Sequence, residues 1–150
     1  MRHGDDDFWD ILMIAATQTD HYAAPPAAPE LVPNGDFNSA VGHTFSDEED
    51  VFISAGKLTL NGGGSFDTVT ANETLVPGTY RSTVEVTQVP SGTLVQVSIG
   101  GGAYTNIPGT DAVGTFSVDV VAGSITNQTL RLRNGAEPHT LESWSVTQIA

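Results

Sequence analysis

The chain has 150 residues, no cysteine, 18 acidic against 5 basic residues and a net charge of −13. Such a balance argues against nucleic acid and against anionic membrane surfaces, both of which demand cations, and a chain without thiols has no disulfide, no thiolate metal site and no cysteine nucleophile. No apolar run approaches the ~18 residues that would cross a bilayer, so membrane insertion is not expected.

The front end is unlike the rest. Residues 5–16 read DDDFWDILMIAA. A signal peptide would place basic residues ahead of an unbroken apolar run, but here Arg2 is followed by Asp5, Asp6 and Asp7, and Asp10 interrupts the run. The chain is therefore expected to fold in the compartment where it is made. Asp5–Asp7 suit a helix N-terminus, where negative charge meets the helix dipole. Phe8, Ile11, Leu12 and Ala15 recur at helical spacing, and Trp9, Met13 and Ala16 widen the apolar face. A helix this short is marginal alone in water and needs a surface to lie on. Phe8, Trp9, Ile11, Leu12, Met13 and Ile14 either fold back onto their own domain or dock on another protein, as amphipathic helices do. The stiff Pro/Ala stretch AAPPAAP at 23–29 favours docking, because it holds the arm away from the β-rich remainder of the chain. Residues 1–29 are thus an anchoring arm and spacer, and 30–150 a separate domain.

From Glu30 onward helical periodicity disappears. Short β-branched runs alternate with turn signals: Asn34-Gly35, Asn61 to Gly64, Pro77-Gly78, Ser91-Gly92, Gly100 to Gly102, Pro108-Gly109 and Asn134-Gly135. This punctuation predicts an all-β sandwich, with strands over 30–33, 51–54, 57–61, 66–70, 79–88, 93–99, 113–121, 128–133 and 140–148. Tyr80, Ser82, Val84 and Val86 share one face of their run, with Arg81, Thr83 and Glu85 on the other. Phe116, Val118 and Val120 alternate with Ser117 and Asp119, and Leu130 and Leu132 with Arg131 and Arg133. One wet face per strand is the signature of antiparallel sheets. Trp144 alternates with the core and is expected to be buried.

Nothing in the chain spells a reaction. There is no Gly-x-Ser-x-Gly, and Ser65 sits in a glycine turn. His3, His21, His43 and His139 lie far apart without metal spacing and read as surface or loop residues. The acidic run SDEED at 46–50 reads as a solvated loop rather than a catalytic pair. The sequons at Asn72 and Asn127 would matter only in a secreted eukaryotic protein. The expectation is a protein that is not an enzyme.

Four segments carry a resemblance: ELVPNGDF (30–37), LVPGTYRSTVEVT (75–87), GTFSVDVVAG (114–123) and LESWSVTQI (141–149). In this order they resemble the carbohydrate-binding-module-like, galactose-binding-like jelly rolls, over roughly the whole of 30–149. Such domains occur in polysaccharide-active enzymes and in tailed-phage virion proteins. The resemblance implies a jelly-roll β-sandwich. With the arm and spacer in front, it implies an accessory protein of a virion made in the host cytoplasm, as capsid decoration or a tail or fibre component, whose partners are other virion proteins. The alternative it implies is a carbohydrate-binding module for a cell-surface glycan. A homo-oligomer, such as a trimeric fibre piece, is a further alternative. Modules of this kind stack sugars on exposed aromatics, and Tyr104, set among glycines, is the first candidate, followed by Phe45 and Phe66; Tyr104 could instead cap the sandwich edge or an oligomer contact. Family members with structural calcium take ligands from the first loop and last strand, where this chain has Asp36, Asn38 and Glu142. It departs from the pattern there: Asn38 stands where the family often has Glu, His43-Thr44-Phe45 where it has Trp, and Glu142 where it has Asp. The bland alternative is a turn aspartate and an edge glutamate.

Overall fold

A computed structural model describes residues 28–46, 48–61, 67–73, 75–89, 93–123, 129–134 and 138–150. The arm residues Phe8, Trp9, Ile11, Leu12, Met13 and Ile14, and also Phe66, lie outside them. Ten strands run through the described residues: β1 (His43–Phe45), β2 (Val51–Ser54), β3 (Lys57–Leu60), β4 (Asp67–Asn72), β5 (Gly78–Gln88), β6 (Gln96–Ile99), β7 (Thr105–Asn106), β8 (Gly114–Ala122), β9 (Thr129–Asn134) and β10 (His139–Gln148). They pair antiparallel into two five-stranded sheets. Sheet 1 has the order β1-β4-β9-β6-β7 and sheet 2 the order β2-β3-β10-β5-β8. Most neighbours in each sheet are distant in sequence, as in a jelly roll, and among the described residues there is no helix.

The core lies between the sheets and follows from period-two alternation. Sheet 1 contributes Val69, Val97, Ile99 and Leu132; sheet 2 contributes Leu58, Leu60, Val84, Val86, Leu141, Trp144 and Val146, all buried. β5 and β10 form the spine of sheet 2, with Trp144 opposite Val84 and Val146 opposite Ser82. Ser82 is buried because it has a task. Its Oγ accepts the Trp144 indole N–H at 3.2 Å, giving the buried ring nitrogen the partner it needs. Tyr80 is likewise buried, and its hydroxyl donates to the Val76 carbonyl and accepts the Val76 N–H.

Residues 30–33 are not the strand that their sequence predicts. Only Glu30 makes a bridge, to Thr147. The Glu30 carboxylate instead accepts the N–H groups of Leu31, Val32 and Val146 at 3.0, 3.0 and 2.8 Å, and the Ser145 hydroxyl. Pro33 then brings no donor, and Asn34 takes a left-handed conformation at φ 49°. The chain turns, and Phe37, with φ 53°, drops into the core. Gly35 is required here: its carbonyl accepts the Trp144 N–H at 2.8 Å, and a Cβ would lie 2.1 Å from the Trp144 oxygen. The strand expected over 93–99 begins only at Gln96, because Val95 donates its N–H to the Thr110 hydroxyl at 2.8 Å rather than to a ladder. β1 and β7 are short edge strands that no alternation announces.

Candidate functional site

The outward face of sheet 1 holds a candidate cleft among the described residues. On β4, Val69 and Ala71 point into the core, which leaves Thr68 and Thr70 outside. On β1, Thr44 is exposed and pairs across to Thr70. The two edges are tied just beyond, where the Ser46 N–H meets the Thr68 carbonyl and the Thr68 N–H meets the Ser46 Oγ, both at 2.9 Å. β6 and β7 supply the far side. Gly100 and Gly101, with φ of 64° and 76°, reverse the chain after β6, and the Ser98 hydroxyl donates to the Gly102 carbonyl at 2.7 Å. That loop delivers Tyr104, half-buried, to a cleft of about 250 Å³ lined by Thr44, Phe45, Ser46, Thr68, Thr70 and Tyr104.

Tyr104 is held from behind. The Arg133 guanidinium stacks on its ring, 3.7 Å from the centroid, a cation–π contact. The Arg133 Nε donates to Gln96 Oε1 at 2.8 Å, and Gln96 Nε2 donates to Asn106 Oδ1 at 2.7 Å. This polar row crosses β9, β6 and β7, so the aromatic wall rests on three strands rather than on its loop alone.

The structure brings two of the sequence-derived aromatics, Tyr104 and Phe45, to one cleft. Their roles differ. Phe45 is half-buried, packs against the core, and also borders a second cleft of about 240 Å³ with Ala40, Glu48, Val51, Phe52 and Ile53. The sequence does not single out the hydroxyl residues Thr44, Ser46, Thr68 and Thr70 or the supporting Arg133. The alternation in DTVTAN and TLRLRN places Thr68, Thr70 and Arg133 on one face, but only the pairing of β4 with β9 and β1 makes that face a site.

Asp36, Asn38 and Glu142 are arranged differently from a cation cage. Asp36 accepts the Asn38 N–H at 3.3 Å and its side-chain amide at 2.6 Å. Asn38 rests against Gly56 of the β2–β3 turn, while Glu142 faces the Lys57 ammonium at 4.0 Å. Calcium takes about six to eight oxygens. A donor amide and an ammonium in their midst do not fit it, and no three His, Cys, Asp or Glu among the described residues gather into a metal-binding group. In the acidic run, Glu48 and Glu49 are exposed, and Asp50 accepts the Asn61 side-chain amide at 2.9 Å, which fastens the loop. His139 departs from the surface reading: it is fully buried, and its Nε2–H donates to the Thr110 carbonyl at 2.9 Å. Burial lowers its pKa from the ordinary histidine value, and the Thr110 carbonyl opposes that shift.

The fold is that of the jelly-roll β-sandwiches among which carbohydrate-binding modules are found. The chain superposes on a family 61 module solved in complex with β-1,4-galactotriose, with a TM-score of 0.51 at 13% identity, covering 81% of this chain and 100% of that one. It superposes on a family 35 module from Paenibacillus barcinonensis at a TM-score of 0.52 and 18% identity, covering 83% and 100%. It also superposes on the enzymatically active domain of tailspike protein 4 of bacteriophage CBA120, at a TM-score of 0.52 and 13% identity, covering 80% of this chain and 21% of that one. No family model matches the sequence, and no curated protein matches it.

Proposed function

We propose that the β-sandwich is a non-catalytic carbohydrate-binding module that holds a saccharide in the sheet 1 cleft against Tyr104. The observation that carries this reading is the convergence of one braced aromatic ring with four hydroxyl side chains in a single cleft. A sugar ring has apolar C–H faces and a polar rim. It stacks on an aromatic and exchanges hydrogen bonds with hydroxyls, which both donate and accept. Among the described residues lining the cleft there is no carboxylate, whereas glycoside hydrolysis ordinarily uses two. Small-molecule pockets commonly span about 300–1,000 Å³, so a cleft slightly below that range suits one sugar unit of a longer chain. The expected affinity is on the order of 1 mM per site, about −4 kcal/mol. A glycan array with the wild-type protein and Tyr104→Ala tests it. The expected result is binding to a subset of glycans that falls at least tenfold in the variant; binding to no glycan refutes the reading.

A second reading places this module on a tailed-phage or phage-like virion, as capsid decoration or a tail component. It is supported by the arm and stiff spacer at residues 1–29 together with the backbone likeness to a tailspike domain. Here the arm docks on another virion protein and the sandwich meets a host glycan. Deleting residues 1–29 should abolish particle association; a truncated protein that still decorates particles refutes the docking role.

A further inference from the structure

We infer that β8 is an interface: its outer edge pairs antiparallel with β8 of a second copy of this chain, in a register centred on Val118. This does not rest on the carbohydrate-binding reading.

The two sheets have four edge strands. Three are short: β1 has three residues, β7 two and β2 four. β8 has nine, and it pairs with β5 at every one of them, from Gly114 opposite Val86 to Ala122 opposite Gly78. Among the described residues no strand pairs with its other side. A long regular edge offers a row of N–H and C=O groups that templates another strand, and proteins usually block it with lysine, proline, a bulge or shortness. The run GTFSVDVVA uses none of these. Its side chains show the same incompleteness. On the core face of β5, Tyr80, Ser82, Val84 and Val86 are buried, but on the same face of β8 the side chains of Phe116, Val118 and Val120 are only half-buried. Gly109 lies close against the Phe116 ring, while Val118 and Val120 stand further along the edge.

The charge on this strand suits a second copy. The chain carries a net −13, so most of its surface repels another molecule of its kind. β8 has one acid, Asp119, and Arg81 holds it in a two-pronged pair at 2.8 and 2.9 Å. A two-fold axis at Val118 sets that residue against its own copy. Phe116 then faces Val120 of the second copy, an aromatic against a β-branched side chain, which is a favourable cross-strand pair. On the outward face Thr115 meets Val121, and Asp119 meets Ser117 rather than the other Asp119. An axis at Asp119 would put like charges directly opposite each other, which is destabilising. One patch serving both partners is the commonest form of a dimer. The pairing continues sheet 2 from copy to copy and uses no strand of sheet 1, so the dimer presents two sheet 1 clefts and gains avidity for any repeating ligand.

Sedimentation of the full chain from micromolar to near-millimolar concentration, at about 0.15 M and about 1 M salt, tests this. The expected result is a monomer–dimer equilibrium that approaches twice the 15.7 kDa of one chain. It should be tighter at high salt, where repulsion between two acidic molecules is screened. Ser117 is exposed, so a charge there leaves the packing of the monomer alone. Ser117→Asp, facing Asp119 of the second copy, should weaken the dimer about fivefold, and Ser117→Lys should tighten it. Each is compared with the same charge placed at exposed Ser54 on β2, the opposite edge of sheet 2. A wild-type chain that stays monomeric throughout overturns the inference, whether the edge then serves another protein or none. A dimer that responds alike to charge at Ser117 and at Ser54 assembles elsewhere and overturns it too. A dimer weakened by Ser117→Asp and Ser117→Lys alike overturns the register centred on Val118. None of these outcomes bears on the glycan reading, which the array decides.

Discussion

His139 shows what burial does to a single side chain. It begins β10, is fully buried, and donates from Nε2 to the Thr110 carbonyl. Thr110 is itself buried, its hydroxyl donating to the Ile107 carbonyl and accepting the Val95 N–H, each at 2.8 Å. An imidazole held there is neutral, because an imidazolium would lose its hydration, and burial depresses its pKa. The consequence for stability has a definite sign. With the folded-state pKa below the unfolded value of about 6.5, the unfolded chain binds the extra proton as pH falls. Stability is then full above about pH 7 and declines from about pH 6.5 downward, until the folded-state pKa is reached. Urea midpoints at pH 7.5, 6.0 and 5.0 should fall in that order, and the fall should flatten in His139→Gln. A midpoint unchanged between pH 7.5 and 5.0 refutes it. The Arg81–Asp119 pair acts in a different window, since the arginine hydrogen bond holds the Asp119 pKa below its ordinary value. Its contribution is present at neutral pH and is lost only under acid conditions, as pH falls from about 3.8 through the depressed Asp119 pKa.

Among the elements, the ones legible in the sequence are those whose partners are long and whose faces differ. β5 and β8 follow from strict alternation; in β10 Trp144 alternates with Val146, but a register shift between Leu141 and Ser143 separates them from the earlier alternation of His139 and Leu141. The segment ELVP misleads because its β-branched and apolar content reads as a strand, while the Glu30 side chain captures the amides that a ladder would use. β1 and β7 have three and two residues and owe their form to neighbours. The site is half legible for the same reason. Tyr104 stands out among glycines, but Thr44 joins Thr68 and Thr70 only through pairing across 24 or more positions of chain, which no local pattern contains. The Glu30 clamp can be tested as an element. Glu30→Ala leaves the N–H groups of Leu31, Val32 and Val146 without their acceptor. Because Glu30 is exposed and water can partly replace it, the expected loss is about 1 kcal/mol, with faster amide exchange at those three residues. Unchanged exchange at Val146 rules out the clamp.

At the scale of the whole molecule, Glu30 is also where the sandwich closes on itself. It bridges Thr147, the Leu31 N–H meets the Val146 carbonyl at 2.9 Å, and Phe37 fills the core within seven residues. At the other terminus, Thr79 donates to the Ala150 carbonyl, and Ile149 donates to that of Thr79 at 2.8 Å. Both ends of residues 30–150 are thus tied into sheet 2, and the core between the two sheets draws, among the described residues, only on Leu31 and the residues after it. A chain truncated to residues 30–150 should therefore unfold within about 4 °C of the full chain, a shift that corresponds to roughly 1 kcal/mol or less for a domain of this size. Trp144 is then the only tryptophan of the truncated chain, since Trp9 leaves with the arm. Its emission should be blue-shifted and poorly quenched, because its ring is buried and its N–H is satisfied by Ser82. A melting temperature that drops by about 10 °C or more, with Trp144 exposed to quencher, would mean that Phe8, Trp9 and their neighbours complete this domain's own core. The arm would then be a structural part of the sandwich, and the docking role would fall while the glycan cleft remained.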